Sequence, residues 1–232
     1  MTYELNGNLQ PTITIPASGD VTFSETLTVV GVSTYELVSV AMPAPSTCSQ
    51  TAVGTVDITV IDLPTATISA TATSVCSGGS TTINFSGTPN ASVYFSVAGV
   101  AQTTPITLVP STANPLIGEG TFTTAALTTN TTYQLIRVVT AGTPSCETIV
   151  TTPVTVNVTP LPTATISPDK TICSGTSTTV TVTATANSTV VYTLNGGANT
   201  NLSINGSGTA TINTGVLTAD ATYRLVSITD TV

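Results

Sequence analysis

Leu63-Pro64-Thr65-Ala66-Thr67-Ile68-Ser69 recurs letter for letter as Leu161-Pro162-Thr163-Ala164-Thr165-Ile166-Ser167. The interval between the two copies is about a hundred residues, the size of a small all-β sandwich domain. Aligned on this anchor, Tyr35 falls on Tyr133, Cys48 on Cys146, and Val75-Cys76-Ser77-Gly78 on Ile172-Cys173-Ser174-Gly175. Tyr3-Glu4-Leu5-Asn6-Gly7 falls on Tyr192-Thr193-Leu194-Asn195-Gly196, with Tyr94 at the same place in the middle copy. The alignment predicts the back part of one module over 1–62, a whole module over 63–160, and the front part of a third over 161–232. The middle copy carries extra residues around Pro110-Ser111-Thr112-Ala113-Asn114-Pro115, a length change of the kind a surface loop tolerates.

Working outward from the anchor, the segments alternate with period two and are punctuated by turn residues. In the first copy the expected strands run through Tyr3 and Leu5, over Thr12–Ile15, over Val21–Phe23, over Thr34–Val40 and over Val56–Val60. In the middle copy they cover Thr65–Ser69, a short piece up to Cys76, Thr81–Phe85, Ser92–Val97, weaker stretches near Thr107 and Phe122, then Tyr133–Val139 and Val154–Val158. About seven short strands with turns every 8–12 residues predict a sandwich. No apolar stripe keeps helical spacing for more than two turns. The fold class expected is all-β, with immunoglobulin-like modules in series.

Composition narrows the function classes. Only 6% of residues are charged, the net charge is −8, and His and Trp are absent, yet 40% of residues are hydrophobic, enough to build cores. Three basic side chains, Arg137, Lys170 and Arg224, do not neutralise a row of phosphates, so no nucleic-acid partner is expected. Without His or a Cys-x-x-Cys pair the chain offers no metal site of the usual kind and no activated nucleophile, and no catalytic role or cofactor is assigned. The carboxylates, Asp57, Asp62, Glu119 and Asp169 among them, show no pairing that repeats between copies; Asp62 aligns with Pro160, which argues against a junction calcium site. No apolar run reaches the ~18 residues of a spanning helix. Met1 is followed by Thr-Tyr-Glu-Leu, not by a signal peptide, and the chain reads as an excerpt of something longer.

The sharpest local motif is a Leu six residues ahead of a Tyr: Leu127 before Tyr133 and Leu217 before Tyr223, with a longer approach from Leu27 to Tyr35. It resembles the tyrosine corner of fibronectin type III and immunoglobulin-like domains, whose phenol hydroxyl bonds back to upstream backbone. That resemblance gives Tyr35, Tyr133 and Tyr223 a structural role. Tyr3, Tyr94 and Tyr192 are left for the strand where antibody domains bury a Trp.

The four cysteines point to an oxidising compartment. Cys76 and Cys146 fall within one whole module, so a bridge between them is the simplest pairing, with Cys48 and Cys173 bonded outside the chain. Such a loop closure contributes ~4 kcal/mol in the chain-entropy model. In an immunoglobulin-like topology, however, the two turns lie at opposite ends, and a bridge from one module to the next is the alternative.

Taken together, Pro-Thr-Ala-Thr-Ile-Ser, Ile172-Cys173-Ser174-Gly175-Thr176-Ser177, Val191-Tyr192-Thr193-Leu194-Asn195-Gly196-Gly197 and Thr222-Tyr223-Arg224-Leu225-Val226 resemble the tandem immunoglobulin-like or PKD-like repeats of large Bacteroidota surface proteins. The resemblance spans essentially all of the chain. It implies adhesins or gliding-associated filaments exported by type IX secretion to the cell surface. The partners it implies are neighbouring modules of the same chain, and surface glycans or other cell-surface proteins. Asp230-Thr231-Val232 is similar to the O-glycosylation motif of that phylum. Two alternatives stand beside the stalk: carbohydrate-binding modules of a secreted polysaccharide-degrading enzyme, and a filament subunit that exchanges strands between chains.

Overall fold

A computed structural model describes residues 1–46 and 48–230, so Thr231 and Val232 of the expected glycosylation motif lie outside the described residues. The described residues contain strands, turns and loops and no helix. Thr, Val and Ile at alternate positions favour the pleated, half-buried surface that they form here.

Over the first stretch, β1 (Thr2–Leu5), β2 (Asn8–Leu9), β3 (Gly31–Ala41), β4 (Ser49–Thr51) and β5 (Thr55–Val60) make one antiparallel sheet, in which β3 pairs with β1, β4 and β5. The middle stretch holds β6 (Ala66–Ala70), β7 (Ser74–Cys76), β8 (Thr82–Gly87), β9 (Ser92–Val97), β10 (Val100–Ala101), β11 (Ile106–Thr107), β12 (Val109–Pro110), β13 (Gly118–Thr123), β14 (Thr131–Val139), β15 (Glu147–Ile149) and β16 (Pro153–Thr159). Its sheets run β12-β13-β8-β6 and β10-β9-β14-β16-β7, with β11 on β9 and β15 on β14. That is the strand order of an immunoglobulin-like β-sandwich. The last stretch has β17 (Ala164–Ile166), β18 (Thr179–Ala184), β19 (Thr189–Leu194), β20 (Thr200–Ser203), β21 (Thr209–Asn213) and β22 (Tyr223–Thr229), in sheets β17-β18-β21 and β20-β19-β22.

The described chain divides into two compact units. The first is Met1–Thr73, Thr81–Thr124 and Thr131–Val156, and the second is Ser74–Ser80, Ala125–Asn130 and Asn157–Val232. In the first unit, alternation along β8 and β9 sends Ile83, Phe85, Val93 and Phe95 inward, where they meet Leu108, Tyr133, Leu135, Val138 and Val156, all fully buried. In the second, Val182, Val190, Ile204 and Ile212 form the core, flanked by Ile166, Tyr192 and Leu225.

Two expected strands are absent. Residues 12–15 and 21–23 carry the right alternation, but they form no strand. Ile13 and the amino end of Met1 exchange hydrogen bonds instead, Ile13 N–H to the Met1 carbonyl and the Met1 ammonium to the Ile13 carbonyl, each 3.0 Å. Residues 21–23 correspond to β13 and β21 downstream, each held by a ladder to a preceding strand, β8 or β18. Among residues 1–20 no strand takes that place beside residues 21–23, and a strand without a ladder leaves its backbone polar groups unpaired.

Candidate functional site

The best-defined recurring cluster is aromatic. In the middle copy Phe85, Phe95, Phe122 and Tyr133 form a row of tilted and edge-on contacts, with centroid separations of 5.1, 5.1 and 6.2 Å. In the first copy Tyr3, Phe23 and Tyr35 form a triangle, with Tyr3–Phe23 at 5.1, Phe23–Tyr35 at 6.1 and Tyr3–Tyr35 at 6.2 Å. The last copy keeps Tyr192 and Tyr223 at 6.1 Å, with Ile212 in its core. Phe23 thus stays on its sheet although its own segment is not a strand. The middle rings fill a core, Phe95 and Tyr133 being only 1% exposed, whereas Phe23 of the first copy is 48% exposed.

Register corrects one sequence assignment. Tyr3 pairs with Leu37 and Tyr192 with Leu225, whereas the partner of Leu135 is Phe95. The residue equivalent to Tyr3 and Tyr192 is therefore Phe95, not Tyr94. Tyr94 pairs with Arg137 across the strands and lies on the other face, where the guanidinium sits 4.1 Å from its ring centre and also bonds Glu147 at 2.7 Å. Successive residues of a strand point to opposite faces, so a one-residue shift moves a ring from core to surface.

The three corner tyrosines stand in the first half of strands of the same kind, and the hydroxyls of Tyr35 and Tyr133 find side chains. The Tyr35 hydroxyl donates to Glu25 at 2.9 Å. Partial burial, then the hydrogen bond and charge of Glu25, push its pKa above the ordinary value. The Tyr133 hydroxyl is bonded to the Thr124 side chain, whose Oγ1 also accepts the Thr81 N–H at 3.0 Å. Burial raises the Tyr133 pKa, and the Thr124 bond opposes part of that rise. Thr214 takes the Thr178 N–H at 3.0 Å in the last copy, the same arrangement.

What the leucine of the motif does was not legible in the sequence. Gly78 N–H donates to the Leu127 carbonyl at 2.7 Å and Leu127 N–H to the Gly79 carbonyl at 2.8 Å. Gly175 and Thr176 clasp Leu217 identically, at 2.8 and 2.9 Å. The Cys-Ser-Gly turn and the Leu-to-Tyr motif are thus two halves of one closure. A second device is the left-handed hairpin residue. Asn6 and Asn195, both at φ 51°, accept the N–H of Thr34 and Thr222 through their side chains at 2.9 and 2.7 Å. Ala98 holds that place in the middle copy at φ 49° and offers no side-chain acceptor. Asn-Gly is a strong hairpin signal because both residues tolerate positive φ.

All four cysteines are free thiols, so the bridge expected between Cys76 and Cys146 does not form. Cys76 closes β7 in register with Thr159, beyond the end of β16 where Val156 meets Thr131 at the start of β14. Cys146 follows the other end of β14, its carbonyl accepting Thr140 N–H. A strand of that length covers roughly 30 Å, against the ~4–7 Å between Cα atoms that a bridge allows. Cys48 and Cys173 are likewise free and exposed.

Two surface grooves remain. One, of about 590 Å³, lies on the first sheet between Tyr3, Phe23, Tyr35, Leu37 and Ile58. The other, of about 460 Å³, runs between Pro168–Ser174 and Leu217–Tyr223. Among the described residues no three His, Cys, Asp or Glu side chains converge as metal ligands. No described helix is long and apolar enough to cross a membrane.

No family model and no curated relative matches the chain. Among solved structures it is similar to a marsupial T cell receptor, at 12% identity over 70% of each chain and a TM-score of 0.40.

Proposed function

We propose that the chain is a structural repeat segment of an extracellular surface adhesin or filament, a stalk that carries load and spacing instead of chemistry. The observation that carries this reading is the recurrence of one packing scheme, the ring cluster with its tyrosine-opened strand, in all three copies along the chain. Like units repeated in series along one chain are the architecture of a spacer. The residue chemistry agrees. Carboxylates are scattered, and the most buried rings stand in cores where no sugar reaches them. A carbohydrate-binding module needs exposed rings on one face, and the feature that speaks for that alternative is the groove of Tyr3, Phe23 and Tyr35, where Phe23 is 48% exposed.

The resemblance to Bacteroidota repeats extends the proposal to type IX export and to neighbouring modules or surface glycans as partners. The test is immunogold electron microscopy of intact cells with an antibody raised against residues 63–160. Label strung along thin surface fibres supports the stalk. Label confined to the medium or to compact secreted particles sinks it.

A further inference from the structure

One ladder in the fold runs parallel. Ser74, Val75 and Cys76 of β7 lie in register with Asn157, Val158 and Thr159 of β16, whereas every other pairing between described strands is antiparallel. Ser77 N–H extends the pair by donating to the Thr159 carbonyl at 2.8 Å. Gly78 and Gly79 then close on Leu127 through hydrogen bonds of 2.7 and 2.8 Å. Ser74–Ser80, Ala125–Asn130 and the chain from Asn157 onward fall in the same compact unit, so the clasp packs as one body.

Strand direction decides how such a clasp meets tension. In an antiparallel hairpin the pull enters and leaves at the same end, and the bonds open one after another. A parallel pair pulled from the N-terminal end of one strand and the C-terminal end of the other is loaded at opposite ends. Its bonds then share the load in shear. Tension arriving from the anchor Leu63–Ser69 enters β7 at Ser74, and tension leaving toward the second anchor at Leu161 departs β16 at Thr159. That is the shearing geometry.

We propose that the β7–β16 pair, backed by the Leu127 closure, is a mechanical clamp that holds the middle sandwich shut against tension along the chain. With the clamp closed, tension crosses from Ser74–Ser77 to Asn157–Thr159 through hydrogen bonds. Residues 78–156, which carry the buried Phe85, Phe95, Tyr133, Val138 and Val156, stay off that path. Forced unfolding follows the height of the unfolding barrier and not the equilibrium stability. Clamp and core are therefore separable: the first sets the force, the second the stability. This clamp deepens the stalk reading and takes from it only the direction of pull. Its resistance belongs to the strands, so immunogold labelling and the test below fail separately.

The test is single-molecule force spectroscopy of the whole chain, tethered at its two ends. Release of residues 78–156 is recognised by a gain of roughly 280 Å in contour, at ~3.5 Å per residue. Val75→Pro removes an N–H from the parallel ladder, and Ser77→Pro removes the donor to the Thr159 carbonyl. Each is expected to lower the force of that event at least about two-fold, while hydrogen exchange over residues 82–87 and 131–139 quickens by less than about ten-fold. Phe95→Leu is the converse control, with faster exchange there and a nearly unchanged force. If the proline variants leave no folded middle sandwich, Val75→Gly, which keeps the N–H and only loosens the strand, is expected to give the same ranking on a smaller scale. Three outcomes overturn the proposal: no event of that length, an event whose force ignores the substitutions in β7 and at Ser77, or a force that follows the exchange rates through every variant. The last would put the mechanical barrier in the core.

Discussion

Replacing Phe95 by Ala tests the register on which the middle core depends. The ring is 1% exposed and lies 5.1 Å from both Phe85 and Phe122. A buried phenylalanine removes roughly 150–250 Å² from water, of which truncation forfeits about 120 Å² or more, or ~3 kcal/mol at ~25 cal/mol/Å². Two aromatic contacts add about 0.5 kcal/mol or more each, giving ~4 kcal/mol, inside the usual range of about 3–5 for Phe→Ala. Tyr94→Ala is the matched control. Tyr94 lies under Arg137 on the outer face, and its loss costs the cation–π contact and some packing, about 1 kcal/mol.

Because several cores share one chain, a single unfolding curve is the wrong readout. Hydrogen exchange resolved by peptide, over residues 82–87 and 131–139 of the whole protein, isolates the middle sandwich. Phe95→Ala should accelerate exchange there by nearly three orders of magnitude, and Tyr94→Ala by less than ten-fold, from ~1.4 kcal/mol per decade. If Phe95→Ala leaves no folded protein, Phe95→Leu should show the same ranking on a smaller scale. Equal effects, or a larger one at Tyr94, would refute the register and restore the sequence reading of Tyr94 as the core residue.

Three further outcomes are expected. Gly87→Ala puts a Cβ into the Thr65 carbonyl oxygen and 2.8 Å from the Ala66 Cα, so peptide-resolved exchange over residues 82–87 should show about 1–3 kcal/mol of destabilisation, while Gly54→Ala, 3.6 Å from Leu37, should be near neutral over residues 31–41. Asn195→Ala removes the 2.7 Å acceptor of the Thr222 N–H and should cost about 1 kcal/mol, whereas Ala98→Asn should stabilise the middle hairpin by a few tenths of that or more, both read by urea titration with peptide-resolved exchange. Tyr133 has a raised pKa in the folded chain, so it binds its proton more tightly there than when unfolded; its contribution is full below about pH 10 and is lost as pH rises through the folded value, and Tyr133→Phe should flatten that alkaline loss in a stability–pH series.

Strand identity was legible in the sequence because alternation and turn residues are local. The β14, β16 and β9 segments are found within two residues of their expected ends. What failed were properties that belong to pairs. Ser92-Val93-Tyr94-Phe95-Ser96-Val97 has aromatics in both phases, so alternation alone cannot choose the inward ring; the hairpin chooses it, and there the sequence spells Ala98-Gly99 instead of Asn-Gly. Cys76 and Cys146 share a module in sequence but stand a strand length apart, since spacing along a chain says little about which end of a sheet a turn occupies.

The same distinction separates two nearly identical triplets. Thr131-Thr132-Tyr133 and Ala221-Thr222-Tyr223 are nearly the same triplet, yet the first is strand from its first residue and the second only from its last. In the middle copy Val156 and Thr155 hold Thr131 and Thr132 in the ladder. A strand is a relation between two segments, and its propensity is only half of the condition.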